Sequence, residues 1–363
     1  MCENYRHLLW LGFSLPKPEI ISLFKRGEEP WIANLPRNVK VEFPRESRPV
    51  MHNRTIDSEF FLLGLTDVQG LQTFLFALLL LVYLINLAGN GTIMMIVASE
   101  PRLHSPMYFF LGNLSCLDIC FSTVILPKLL ANLLSARKAI SFLGCIAQLH
   151  FFHFLGSAEA ALLAVMALDR FVAICRPLRY PVIMSRRVCV LLAGATWTAG
   201  FFHALLHSVL TSRLSFCGSR RVPHFFCDVK PLLALACDSI ELHLWLLNTV
   251  TGSLVLGSFF LTLLSYLYLI GFLLLQSRSW GVLSKALSTC AAHLSVVILF
   301  YVPVTVAYTS TTLDGSTVQD RAITIMYSIA TPLFNPLIYT LRNRDVKESL
   351  KMVILRKLCP VRF

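Results

Sequence analysis

The stretch "VMALDRFVAIC" (165–175) is apolar on both sides of an Asp-Arg pair at Asp169 and Arg170. Two adjacent charges in such a run are tolerated only where water or a polar interface is within reach. The place of that run along the chain therefore decides what the molecule is. The chain has 363 residues, of which 56% are hydrophobic and 14% charged. A soluble domain averages about 45–50% apolar and about 25% charged residues. A helix that crosses a bilayer needs roughly 20 mostly apolar residues. Seven segments meet that need, near 72–98, 106–130, 143–173, 188–210, 243–275, 286–309 and 320–341. The quoted stretch closes the third. His203 and His207 interrupt the fourth, and Pro332 and Pro336 the seventh. Proline is tolerated inside a spanning helix because neighbouring helices can satisfy the carbonyls it frees.

Charge gives the orientation. The segment after the third span carries Arg176, Arg179, Arg186 and Arg187 and no acid, and the tail is rich in Arg and Lys. Both read as cytoplasmic, which places the N-terminus outside. The net charge of +12 fits an anionic membrane surface, so membrane lipids are expected partners and nucleic acid is not. No zinc-type Cys/His spacing, phosphate-cradling glycine loop or hydrolase elbow points to an enzyme, and no internal repeat points to a transporter.

Residues 1–58 read as an extracellular segment, with 1–50 a disordered extension rich in proline and mixed charge. Residues 59–343 form the membrane domain and 344–363 a cytoplasmic tail. Asn53-Arg54-Thr55 is a glycosylation sequon on the outer side. Cys145 at the start of the third span and Cys217, Cys227 and Cys237 in the second outer loop face an oxidising compartment. Four cysteines make two disulfides in any of three pairings. In the tail, Val346, Leu350, Val353 and Ile354 form an apolar stripe among basic residues, which predicts a short amphipathic helix on the inner leaflet.

Depth explains the charges. From Cys145 to Arg170 is 25 residues, or roughly 37 Å of helix. With Cys145 at the outer surface, Arg170 lies at the inner one, where its charge reaches the interface. Glu159 lies about 16 Å deeper. Asp118 sits near the middle of the second span. Two carboxylates at similar depth cannot both stay charged in isolation. Either a proton or a small cation, Na⁺ foremost, must neutralise them, with the mid-span amides Asn90 and Asn335 completing a polar core. No other cofactor is implied.

In order along the chain come "GN" (89–90), "LHSPMYFFLGNLSCLD" (103–118), "MALDRFVAICRPLRY" (166–180), "SY" (265–266), "KALSTCAAHL" (285–294) and "PLFNPLIYTLRN" (332–343). With the three-cysteine outer loop, this set resembles the olfactory (odorant) receptors, a branch of the rhodopsin-like G-protein-coupled receptors, over roughly residues 51–350. The departures are Leu168 and Phe171 where tyrosines are usual, Ala292 for Ser, Phe334 for Leu, and the first 50 residues, which precede the family's usual start near Met51.

The resemblance implies an all-α bundle of seven transmembrane helices in the plasma membrane, with a short amphipathic C-terminal helix. It implies an odorant held in the outer half of the bundle and a stimulatory heterotrimeric G protein bound at the inner end, raising cyclic AMP. It pairs Cys145 with Cys227 and Cys217 with Cys237. It makes Asp169, Arg170, Tyr266 and Tyr339 the switch, Arg170 being held at rest by Asp169. Family position and helical spacing together put His153, Gly156, Ser157, Tyr301, Thr305 and Tyr308 around a mainly hydrophobic ligand. A receptor of the same fold with a non-odorant ligand, expressed outside olfactory tissue, is the alternative the sequence leaves.

Overall fold

The computed structural model describes residues 59–66, 68–217, 219–276, 280–309, 318–342 and 346–351. Asn53, residues 1–50, and Val353 and Ile354 of the expected tail helix lie outside the described residues. The described residues all belong to one compact unit.

Seven long helices follow the order read from the sequence. They are α1 (Gln69–Ser99), α2 (Pro106–Leu134), α3 (Phe142–Cys175) and α4 (Arg186–Ser212). The fifth, α5, runs from Glu241–Leu246 through a π turn at Leu247–Thr251 into Gly252–Gln276. The sixth, α6, is Trp280–Thr309. The seventh, α7, joins Val318–Ile325, a second π turn at Met326–Ala330, and Thr331–Arg342. Among the described residues five of these, α1, α2, α4, α5 and α7, are apolar over a full membrane-crossing length, and α6 holds a shorter apolar stretch at His293–Tyr308. With α3, whose 34 residues span about 51 Å, they make the bundle of seven.

Burial sorts the helices by position. Along α1, Leu71, Phe74, Leu78 and Leu81 are exposed, as suits a lipid-facing helix. By contrast α3 is buried along most of its length and packs against α2, α4, α5 and α6. Close contact needs small residues. A Cβ added to Gly200 of α4 would lie 2.7 Å from the Phe154 carbonyl oxygen of α3, and one added to Gly89 of α1 would lie 3.1 Å from the Pro336 ring of α7. Both glycines let backbones approach as small residues do in membrane bundles.

Neighbouring helices satisfy carbonyls at or beside the helix prolines. Pro336 cannot donate to the Pro332 carbonyl one turn back, and Asn90 Nδ2 of α1 donates to that oxygen at 3.1 Å instead. Pro303 likewise frees the Leu299 carbonyl, which accepts from Thr331 Oγ1 of α7 at 3.2 Å. Beside Pro127, Gln148 Nε2 of α3 donates to the Val124 carbonyl at 3.0 Å.

The outer end holds an element the sequence reading missed. Strands β1 (Glu59–Leu62), β2 (Ala139–Ser141) and β3 (Arg221–Val222) form a sheet in the order β2-β1-β3. Glu59 pairs with Ser141 antiparallel, and Phe61 with Arg221 parallel. Phe60, Leu62, Leu149, Val222, Leu232 and Leu233 pack beneath it as a separate apolar cluster. Cys145 is bonded to Cys227 and Cys217 to Cys237. At the inner end residues 346–351 are helical, with Val346 buried and Leu350 packed on the main core.

Candidate functional site

In the outer half of the bundle, α2, α3, α5, α6 and α7 surround a small cavity. Phe121, Phe152, Val255, Phe300, Val304 and Tyr327 give it an apolar and aromatic wall, and His153, Gly156, Ser157, Thr251 and Tyr308 complete it. A small apolar ligand held by few polar groups fits such a lining. Gly156 leaves the space in which a Cβ would touch the Phe121 ring at 3.4 Å. Thr251 ends the π turn of α5, and Tyr327 sits in that of α7. Both irregular turns thus aim a side chain at the cavity, a common use of π bulges.

The residues expected around a ligand divide. His153, Gly156, Ser157 and Tyr308 line the cavity. Tyr301 and Thr305 are not among its lining residues. The cavity face of α6 is Phe300, Val304 and Tyr308, one position, or about 100°, away from that of Tyr301 and Thr305. Tyr301 turns to α3, where its hydroxyl donates to the Ala160 carbonyl at 2.7 Å.

The outer loop brings charge against two of the lining residues, His153 and Tyr308. Asp228 Oδ1 lies 2.9 Å from His153 Nε2 and accepts from the Val229 N–H at 2.7 Å. Burial would raise the Asp228 carboxyl, but the His153 hydrogen bond and charge, with the Val229 N–H, hold it below the ordinary range. Two residues on, Lys230 Nζ donates to the Ala307 carbonyl at 2.7 Å and lies 5.9 Å from the Tyr308 ring centre. Burial lowers its pKa. One loop therefore grips α3 through Asp228 and α6 through Lys230. Gln148 adds a third hold, its Oε1 accepting from the Cys227 N–H at 3.0 Å.

Deeper in the bundle the polar core gathers. Asn335 Nδ2 donates to both oxygens of Asp118 at 3.0 Å. Asn86, missed in the sequence although it stands one turn from Asn90, donates to Ser122 Oγ at 2.6 Å and is bonded to Asn90. Glu159 is fully buried, and neither of its oxygens has a partner among the described residues. The same is true of Asn90 Oδ1 and Asn335 Oδ1. The unfilled valences here are all oxygen acceptors, the donor set that suits a hard cation. No group of three or more His, Cys, Asp or Glu forms a metal cluster among the described residues, so amide oxygens would have to share in holding Na⁺.

At the inner end, Arg170 Nη2 stands 3.9 Å from Asp169 Oδ2. The carboxylate's hydrogen bond comes from Tyr180 instead, whose hydroxyl donates to Asp169 Oδ1 at 2.8 Å. Burial, then the Asp169 charge, pushes the Tyr180 phenol up, so it remains a donor. The expected hold of Asp169 on Arg170 is thus a loose ion pair, and Tyr180 competes for it. The Tyr266 hydroxyl is hydrogen-bonded to His293 Nδ1 at 2.7 Å, while the buried Tyr339 hydroxyl has no partner among the described residues. Tyr180 lay within a quoted motif without a role; His293 lay within another.

The sequence model of the family described as "Olfactory receptor" matches residues 79–357. Olfactory receptor 12D1 of Homo sapiens is 63% identical over 310 residues, covering 85% of this chain and 97% of that protein. Olfactory receptor 12D3 of Homo sapiens is 63% identical, covering 85% of this chain and 98% of that protein. Olfactory receptor 1M1 of Mus musculus is 44% identical, covering 84% and 97%. The likeness takes in nearly the full length of each relative, and the chain belongs to the olfactory receptor family of multi-pass plasma-membrane receptors.

Proposed function

We propose that this receptor binds a small, mainly hydrophobic odorant in the outer cavity and activates a stimulatory G protein, raising cyclic AMP. Odorant binding and G-protein coupling in general come with the family; the site, the ligand character and the kind of G protein are the reading offered here. One observation carries it. The cavity is walled by aromatic and aliphatic side chains, has a few polar groups on α3 and α5, and its His153 is held by Asp228 of a disulfide-anchored loop. Ligand and G protein each favour the active arrangement, so each raises the other's affinity. Arg170 is the group freed toward the G protein, with Tyr266 and Tyr339 as its new neighbours.

The reading extends to the polar core. Asp118, Glu159, Asn90 and Asn335 would hold a Na⁺ ion through their oxygens, and the ion would supply the charge that lets both carboxylates stay ionised. A protonated carboxyl pair is the competing arrangement. Asp118→Asn and Glu159→Gln separate the two: loss of sodium sensitivity in the agonist response supports the ion, and unchanged sensitivity removes it. For the cavity, cells expressing the receptor are screened with odorants and read by cyclic AMP. His153→Ala and Tyr308→Ala should each shift the agonist dose-response curve by about tenfold or more. If both leave it in place, the ligand does not sit here.

A further inference from the structure

Behind the cavity wall, the two histidines of α4 complete a chain of hydrogen bonds with two lining hydroxyls. Ser157 Oγ is 2.8 Å from His203 Nδ1, and His203 Nε2 is 2.9 Å from Thr251 Oγ1. The same Thr251 oxygen is 3.1 Å from His207 Nε2. The four side chains are buried, and the two imidazoles meet edge to face at 4.9 Å. Ser157 and Thr251 face the cavity, whereas His203 and His207 are not among its lining residues. The relay therefore links α3, α4 and α5 and touches the ligand space only through its hydroxyls.

Proton counting shows what such a relay does. A neutral imidazole offers one N–H and one lone pair, and a hydroxyl offers one O–H and two lone pairs. When His203 carries its proton on Nδ1, it donates to Ser157. The Ser157 O–H is then left over for a ligand. His203 Nε2 accepts from Thr251, whose oxygen accepts in turn from His207. When His203 carries its proton on Nε2, Ser157 must donate to Nδ1 and turns only lone pairs to the cavity, while Thr251 accepts from His203. Both arrangements give every contact in the relay one donor and one acceptor.

We infer that the tautomer of His203 sets whether Ser157 donates to or accepts from the ligand, so that the receptor takes neutral alcohols and the matching ketones or esters alike. An alcohol donates to the Ser157 lone pair in one tautomer, and a carbonyl oxygen accepts from the Ser157 O–H in the other. His203 is a positioning residue: it acts on the ligand through Ser157. The inference rests on the outer cavity being the odorant site. Without His203, Ser157 behaves as an ordinary helix hydroxyl. Its O–H loses the polarising N–H of His203 and is more readily spent on the carbonyl one turn back, so it donates less well to a ligand. Loss of His203 should therefore weaken carbonyl ligands selectively.

The test uses the full chain in cells, cyclic AMP as readout, and three matched sets of probes: menthol, menthone and menthane; phenylethanol, acetophenone and ethylbenzene; cyclohexanol, cyclohexanone and cyclohexane. In at least one set the alcohol and ketone should be active within about tenfold of each other, with the hydrocarbon weaker than both. His203→Leu should weaken the ketone about tenfold more than the alcohol at a measured surface level. His203→Gln, whose amide keeps a donor and an acceptor, should restore the ketone. If His203→Leu fails to reach the surface, Ser157→Ala replaces it and should abolish the advantage of both oxygenated probes over the hydrocarbon. Equal weakening of ketone and alcohol by His203→Leu overturns the inference, because packing alone explains it. A wild-type response to only one class, or to no oxygenated probe, also overturns it. Basal cyclic AMP above that of Arg170→Ala in the same cells then shows that the proposed receptor function stands without the relay.

Discussion

At the outer end, α3 is joined by the Cys145–Cys227 bond to a loop that also adds strand β3 to the sheet, covers an apolar cluster and sends Asp228 and Lys230 into the bundle. At the inner end, the same helix finishes in an arginine 3.9 Å from its partner carboxylate, beside a tyrosine that already holds that carboxylate. One end is fixed by covalent bonds and buried apolar surface. The other is held by exchangeable polar contacts, each worth about 0.5–3 kcal/mol. That difference is what the proposed function needs of a single helix: a stable ligand site at one end and a movable switch at the other. In the proposed reading the outer contacts define a position against which ligand shape is read, and the inner ones are weak enough for differential binding to rearrange them.

The largest effect should come from cutting the outer anchor. Cys145–Cys227 closes a sequence separation of 82 and Cys217–Cys237 one of 20. In the chain-entropy account these constrain the unfolded chain by about 4.5 and about 3.3 kcal/mol. Cys227→Ser should abolish surface expression, and Cys217→Ser should reduce it less, both measured by labelling intact cells. Equal loss would mean that the two bonds share one structural role. Next in size, Gly200→Val should cost about 3 kcal/mol or more by pushing α4 off the α3 backbone, seen as a lowered thermal midpoint of the detergent-solubilised receptor. A smaller effect is expected at the inner end. Tyr180→Phe returns Asp169 to Arg170 and should lower basal cyclic AMP about three- to tenfold at unchanged surface level. A rise instead would mean that Tyr180 holds the resting state.

The smallest effect concerns pH at the outer end. His224 is buried there, and burial lowers its pKa from 6.5 to about 4. A depressed folded pKa means that the unfolded chain binds the proton first. The His224 contribution to stability is therefore complete above about pH 6.5 and falls away toward pH 4. Asp228, also held below its ordinary range, loses its contribution in the same direction as pH falls through its folded pKa. The thermal midpoint should drop as the solution is acidified through that window, and His224→Phe should flatten the drop.

The spans were legible in the sequence because a membrane-crossing helix is specified by local composition over about 20 residues. Orientation was legible from four arginines. Asp118, Glu159, Asn90 and Asn335 could be grouped in advance because polar groups at mid-depth have few partners to choose from. The sheet was not legible: its strands have four, three and two residues, too few for any period, and they meet only through contacts between distant segments. The α6 face that lines the cavity lies one position from the expected one, since Phe300 and Tyr301 are equally suited to an apolar interior. The partner of His153 was hidden because Asp228 is 75 residues away on a loop whose path is set by the Cys145–Cys227 bond. His203 and His207, one turn apart in an apolar span, were a visible signal whose meaning needed Thr251 placed by the π turn.

The central claim is that Arg170 transmits the signal at the loosely held end while the outer end keeps the fold. Surface level and basal cyclic AMP, measured together for Arg170→Ala and the wild-type chain, test it most directly. The account predicts an unchanged surface level with cyclic AMP reduced to that of cells without the receptor. Cyclic AMP equal to wild type at equal surface level would contradict it.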